Sequence, residues 1–136
     1  MKTHLALLYK KYLDLILEGK KTIESRFSKV KCLPYGKISI GDKILLKETG
    51  GPIRGEAIVR KVAYYSNLTP EKISEIMAKY KEDLMIEEDF LNAKIESKYL
   101  TLIFLSNVKK YAREIPFVKK DRRAWVVLQQ EQQPTI

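Results

Sequence analysis

Helical spacing ends at Gly19 and strand alternation begins at Thr22, and this abrupt change constrains the chain more than any other feature. From Tyr9 to Glu18 the apolar side chains Tyr9, Tyr12, Leu13, Ile16 and Leu17 recur at the spacing that lines one face of a helix. Gly19 follows where a helix closes its last turn with left-handed backbone, a conformation glycine adopts at little steric cost. Thr22 to Phe27 then alternates, with Ile23 facing opposite to Glu24. A helix must therefore hand over to a strand within a few residues. Three charged side chains ride on that handover. Glu24 and Arg26 share one face of the strand with Thr22 beside them, and Lys21 enters from the turn.

The rest of the chain reads as short strands with two further helices. Leu5 to Leu8 is an apolar strand. Leu33-Pro34-Tyr35-Gly36 is a turn, and Ile40-Gly41-Asp42-Lys43 is a tight turn before a strand from Ile44 to Glu48. Thr49-Gly50-Gly51-Pro52 links that strand to a long one, Arg54 to Tyr65, as an antiparallel hairpin. Thr69 is a good N-cap and Pro70 suits a first helical position, so a helix starts there with Ile73, Ile76, Met77 and Tyr80 as its stripe. A second stretch, about Ile86 to Ile95, is also helical. Tyr99 to Val108 is a strongly apolar strand. Tyr111 to Phe117 reads as edge strand and turn, because Pro116 cannot donate to a ladder. Trp125 to Leu128 is the last strand. Five to seven strands with one early and two central helices make an α+β domain, a small barrel with helical covers. The domain is expected over residues 1–128, with 129–136 a polar, frayed tail.

Composition narrows the function. At 136 residues and 45% hydrophobic content the chain suits one core. No run of about 20 apolar residues exists to span a membrane, and Lys10-Lys11 interrupt the short apolar patch from Leu5 to Tyr9, too short for a secretory signal. The single cysteine, Cys32, excludes an internal disulfide framework, so a reducing cytosol is the simplest location. Lys and Arg number 26 against 17 Asp and Glu, a net charge of +9. A small basic domain attracts polyanions through a salt-sensitive field. Acidic residues concentrate between Glu71 and Glu96, while cations crowd both ends. If the fold joins those ends, one region is strongly positive and the acidic middle lies away from it. No Walker-type phosphate loop is present, and His4 stands alone, so no metal or cofactor is expected.

The candidate site residues follow from these charges. Arg26 can grip a phosphate or carboxylate with two parallel bonds, and Glu24 can orient it or accept from a base amino group. Lys20 flanks the motif. The bland alternative is a structural Glu24–Arg26 ion pair beneath the helix, though exposed pairs stabilise by only about 0–1 kcal/mol. Lys119-Lys120-Asp121-Arg122-Arg123 is either a phosphate-contacting loop or a solvated turn. Trp125 stacks on a base or packs in the core. Lys47 and Arg54 are further ligand candidates, the latter beside a glycine turn that is otherwise a plain hairpin loop. Tyr64-Tyr65 stack on bases or pack, and Cys32 beside Lys31 is a weak nucleophile candidate.

Gly19-x-Lys21-x-x-Glu24-x-Arg26 after an amphipathic helix resembles the GxKxxExR signature of ASCH domains, small β-barrels of the PUA-like superfamily. Ile40-Gly41-Asp42-Lys43-Ile44 resembles the family's "GD" turn, Gly55 to Val59 the strand that follows it, and Ile115-Pro116-Phe117 with Trp125 to Leu128 a closing strand of some members. The resemblance spans about residues 3–128. It implies a PUA-like barrel that binds RNA, with DNA or a nucleotide as alternatives, through a basic cleft around the motif. It also raises an enzyme alternative. Some relatives are amidohydrolases of N4-acetylcytidine with a lysine, a threonine and a glutamate as catalytic set. Lys21 matches that lysine and Glu82 is the best positional match for the glutamate, but Glu24 stands where the threonine belongs. Glu24 could instead activate water, with Lys21 stabilising the oxyanion. A metal-independent ribonuclease is the other enzymatic possibility.

Overall fold

A computed structural model describes residues 1–135. The strands are β1 (Thr3–Leu8), β2 (Ile23–Ser28), β3 (Lys43–Glu48), β4 (Ile53–Tyr65), β5 (Tyr99–Ile115) and β6 (Trp125–Leu128). The helices are α1 (Lys10–Leu17), α2 (Pro70–Lys79), α3 (Lys81–Leu84) and α4 (Glu88–Lys94), and a 3-10 turn spans Gln130–Gln132. All six strands form one sheet in the order β2-β5-β4-β3-β1-β6. β1 runs parallel to β3, and the other neighbours are antiparallel. The sheet curls into a half-barrel. Among the described residues β2 and β6 are its two edges, so the barrel is left open between them.

Local sequence accounts for the handover at Gly19. Gly19 has φ +79°, its N–H donates to Ile16 O, and the Lys20 N–H donates to Leu15 O. That pair of bonds is a Schellman closure of α1. Thr69 caps α2 as expected, its side chain accepting from the Lys72 N–H. Gly55 lets α1 and β5 approach β4, since a Cβ there would lie 2.4 Å from Lys109 O and 2.8 Å from Leu17 Cδ2.

Alternation along the strands sorts the core. The inner face carries Ala6, Leu8, Ile44, Leu46, Val59 and Ile103 against Tyr12, Leu13 and Ile16 of α1. On the outer face, Ile23, Leu100, Leu102 and Phe104 pack under Ile73, Met77 and Leu84. Leu5, Leu45, Ile53 and Val126 form a further cluster with Tyr111, and Ile115 and Phe117 pack against it.

Four readings of the sequence change. β5 is continuous from Tyr99 to Ile115 rather than broken near Val108. Asn107 turns at φ +47°, and register shifts in the β4–β5 ladder absorb the irregularity, so Lys109 and Lys110 still pair with Glu56 and Gly55. The central helical region has a third piece, α3, which ends on left-handed Met85. The tail holds its 3-10 turn through reciprocal Gln129–Gln132 capping, and Ile136 lies outside the described residues. Finally, the acidic middle does not lie away from the basic ends, because Glu87 pairs with Lys11 and α4 walls the cavity described next. No helix among the described residues is long and apolar enough to cross a membrane.

Candidate functional site

A cavity of about 470 Å³ opens where the two sheet edges face each other. β2 supplies Glu24, Ser25, Arg26 and Phe27, and the start of β6 supplies Trp125. The end of β1, Tyr9 and Tyr12 of the α1 region, and Ile86, Phe90 and Lys94 complete the wall. Arg122 and Arg123 line it beside Ala124, and exposed Cys32 borders it with Leu33.

Arg26 spans the opening. Its Nε–H donates to Glu24 Oε2 at 3.0 Å, its Nη2–H donates to Leu7 O at 2.7 Å, and its guanidinium lies 5.1 Å from the Trp125 ring centroid. One side chain thus ties β2 to β1 and to the first residue of β6. An arginine suits this because its planar fork reaches several acceptors at once while its face rests on an aromatic ring.

Lys21 sits behind Glu24 and does not line the cavity. It is 1% exposed, donates from Nζ to Leu84 O at 2.6 Å, and lies 3.4 Å from Glu24 Oε1. Burial pushes its pKa below the usual lysine range, and Glu24 opposes that shift. The Tyr12 ring lies 5.4 Å from the same Nζ. Glu24 is therefore held between two cations, one buried and one at the cavity surface. A carboxylate has about four acceptor positions, so it retains capacity toward a ligand. Ser25 also borders the cavity, and its buried Oγ has no hydrogen-bond partner among the described residues.

The remaining sequence candidates scatter. Lys20 is exposed and pairs with Glu18 at 3.2 Å. Thr22 donates to Asp83 at 3.1 Å on the far side of the turn. Glu82 is exposed on α3 and is not among the lining residues. Lys47 is buried away from the cavity, and its pKa is lowered by that burial and by Lys119. Lys119 and Lys120 stand outside the lining, whereas Arg122 and Arg123 form part of it. Arg123 grips Asp121 with three side-chain bonds, from Nε to both carboxylate oxygens and from Nη2 to Oδ2, holding that carboxyl well below the usual range. Tyr64 is tied to the Ile38 backbone instead of the cavity.

Arg54 is engaged elsewhere. Its Nη1 lies 2.7 Å from Asp14 and 3.2 Å from Glu48, and its Nε lies 3.2 Å from Glu114. Asp14, Glu48 and Glu114 come from α1, β3 and β5, so Arg54 fastens three elements. Arg54→Ala is expected to lower stability by about 1–2 kcal/mol, which a thermal melt checks.

Sequence reasoning overlooked Phe90, Lys94 and the aromatic wall of α1. Tyr9 and Tyr12 were legible as a helical stripe, but the same stripe also signals plain core packing. Phe90 stacks edge-on against Tyr12 with centroids 5.5 Å apart, a contact that no local pattern announces.

The curled α+β half-barrel, with α1 on one face of the sheet and α2 and α3 on the other, is a fold shared with solved ASCH structures. The ASCH domain family model matches residues 7–133, and the chain belongs to that family. Among solved structures, the ASCH protein from Zymomonas mobilis is 15% identical with a TM-score of 0.75, the match covering 96% of this chain and 90% of that one. A variant of the same Zymomonas mobilis protein is 16% identical with a TM-score of 0.75, over 97% of this chain and 94% of that one. The N-terminal domain of Staphylothermus marinus McrB is 17% identical with a TM-score of 0.52, over 83% of this chain and 75% of that one. At these identities the likeness shows the fold. No curated protein matches the chain.

Proposed function

We propose that this protein binds single-stranded RNA by admitting one unpaired base into the seam cavity while the cations at its mouth meet the phosphates. The observation that carries the reading is the pairing of Glu24 and Arg26 in the wall of a cavity that Trp125 and Tyr12 also line. A base edge presents donors and acceptors that a carboxylate and a guanidinium complement, and its faces stack on aromatic or guanidinium planes. Arg122, Arg123 and Lys94 supply the salt-dependent phosphate contacts. The link of ASCH domains to RNA biology agrees with this assignment. Lys20, Lys119 and Lys120 extend the field beyond the cavity.

Hydrolysis of a modified nucleoside such as N4-acetylcytidine is the second reading, favoured by the depressed Lys21 pKa beside Glu24. The geometry gives it less support, because the Lys21 amine is spent on Leu84 O and Glu82 is remote from the cavity.

The test is a titration of labelled short single-stranded RNA at two salt concentrations, with duplex RNA and single-stranded DNA as comparators. Binding to the single strand that weakens steeply with salt, with the RNA recovered intact, is the expected result. Cleaved RNA, or turnover of acetylcytidine supplied in its place, moves the assignment to an enzyme. Absence of binding by the wild-type chain overturns the proposal.

A further inference from the structure

Trp125 is held in the cavity wall by more than packing. Its indole Nε1–H donates to His4 Nδ1 at 3.0 Å, and His4 Nε2 lies 2.8 Å from Asp42 Oδ2. An indole nitrogen can only donate, so Nδ1 is the accepting nitrogen and the imidazole proton belongs on Nε2, facing the carboxylate. Asp42 is itself fixed, since its Oδ1 accepts the Lys2 N–H and its Oδ2 accepts the Ser39 N–H, each at 3.0 Å. The three groups are almost wholly enclosed, with His4 0%, Asp42 2% and Trp125 2% exposed. Burial holds the His4 pKa below the usual imidazole range despite Asp42 beside it, which keeps the ring neutral and its Nδ1 lone pair free to accept. On its other side the Trp125 ring carries the Arg26 guanidinium. Trp125 and Arg26 line the cavity, whereas His4 and Asp42 do not.

We propose that His4 is a positioning residue for the cavity: backed by Asp42, its Nδ1 fixes the rotation of the Trp125 ring and so the plane on which Arg26, the group that meets a bound base, rests. A half-turn of the indole would carry Nε1–H away from its acceptor and leave a buried donor unpaired. The bond therefore selects one ring orientation where packing alone would be less discriminating. The Asp42 of the tight turn acquires a role in this arrangement, since it orients the imidazole that orients the tryptophan. The effect on ligand affinity rests on the base-binding reading above. The orientation of Trp125 does not.

The experiment has an arm for each. Nitrogen-15 NMR of the wild-type protein, without ligand, reads the His4 tautomer and the only indole N–H in the chain. An Nε2-protonated His4 with an exchange-protected indole N–H is expected. An Nδ1-protonated ring overturns the proposal whatever the protein binds. Two variants then separate the acceptor from the ring volume. His4→Asn keeps an oxygen close to the Nδ1 position, and His4→Phe keeps a ring without an acceptor. His4→Phe is expected to alter the near-ultraviolet circular dichroism of Trp125 and weaken single-stranded RNA binding about tenfold, one hydrogen bond's worth. His4→Asn should retain the wild-type spectrum and bind within about threefold of wild type, as the same bond is kept. In a Trp125→Phe background, His4→Phe should add no further loss of affinity. A folded His4→Phe protein with wild-type spectrum and affinity overturns the proposal. A wild-type protein that binds no RNA but shows the expected tautomer and spectra defeats only the base-binding reading.

Discussion

Glu24→Gln is expected to destabilise the domain by about 3 kcal/mol, because it strips the counter-charge from a buried lysine. Lys21 is 1% exposed and its Nζ lies 3.4 Å from Glu24 Oε1, with Leu84 O as its other polar partner among the described residues. A neutral amide in place of the carboxylate leaves an ammonium in the interior without compensation. Lys21→Met in the same chain should recover most of the loss, since it removes the charge that Glu24 served. Lys21→Met alone should be far milder, as Glu24 still has Arg26 at 2.8 Å. Urea denaturation of the wild type, both single variants and the double variant measures this coupling. The pH dependence carries the same signature. Because burial lowers the Lys21 pKa, the folded protein releases that proton at lower pH than the unfolded chain does. The penalty for burying the charge is full below the folded pKa. It is relieved as pH rises from there toward 10.5, so this group makes stability rise across that window. Lys21→Met should abolish that contribution. Near-additive single and double variants would mean that Lys21 and Glu24 are not a coupled pair.

Arg26→Ala is the second large effect, and it falls on binding. Charge-assisted bonds are each worth about 1.5–3 kcal/mol, so RNA affinity should drop by tenfold or more. Stability should change by only about 1–2 kcal/mol, because Lys21 continues to neutralise Glu24 and the guanidinium is on the cavity side. Arg26→Lys should not rescue binding. An ammonium on a flexible stem cannot bond Glu24 and Leu7 O together while lying flat on Trp125. Fluorescence anisotropy with labelled RNA, next to a denaturant curve for each variant, separates the two effects. If Arg26→Ala unfolds the domain and shows no separate binding defect, Arg26 is a structural tie across the seam and nothing more.

The handover from α1 to β2 was legible because each step is local: a helical stripe, a glycine at the left-handed closure, then alternation. That alternation correctly put Glu24 and Arg26 on one face, and Arg26 and Glu24 meet as the sequence suggested. The depth of Lys21 was not legible. It depends on Leu84, 63 positions away in the chain, placing a carbonyl 2.6 Å from its amine. Arg54 and Lys47 looked available for a ligand because sequence shows cations but not the carboxylates or apolar cover that other elements bring to them. The parallel β1–β3 pairing and the open seam between β2 and β6 likewise arise from long-range register. His4 read as a solitary histidine of no consequence, since its partners Asp42 and Trp125 lie 38 and 121 positions along the chain.

The most direct measurement uses Trp125, the single tryptophan, as a reporter in the cavity wall. Its emission should be quenched saturably by short single-stranded RNA, with the same dissociation constant that anisotropy gives, and quenching should vanish together with binding in Arg26→Ala. Tight RNA binding that leaves Trp125 emission unchanged would place the nucleic acid elsewhere on the basic surface and contradict the seam cavity as its site.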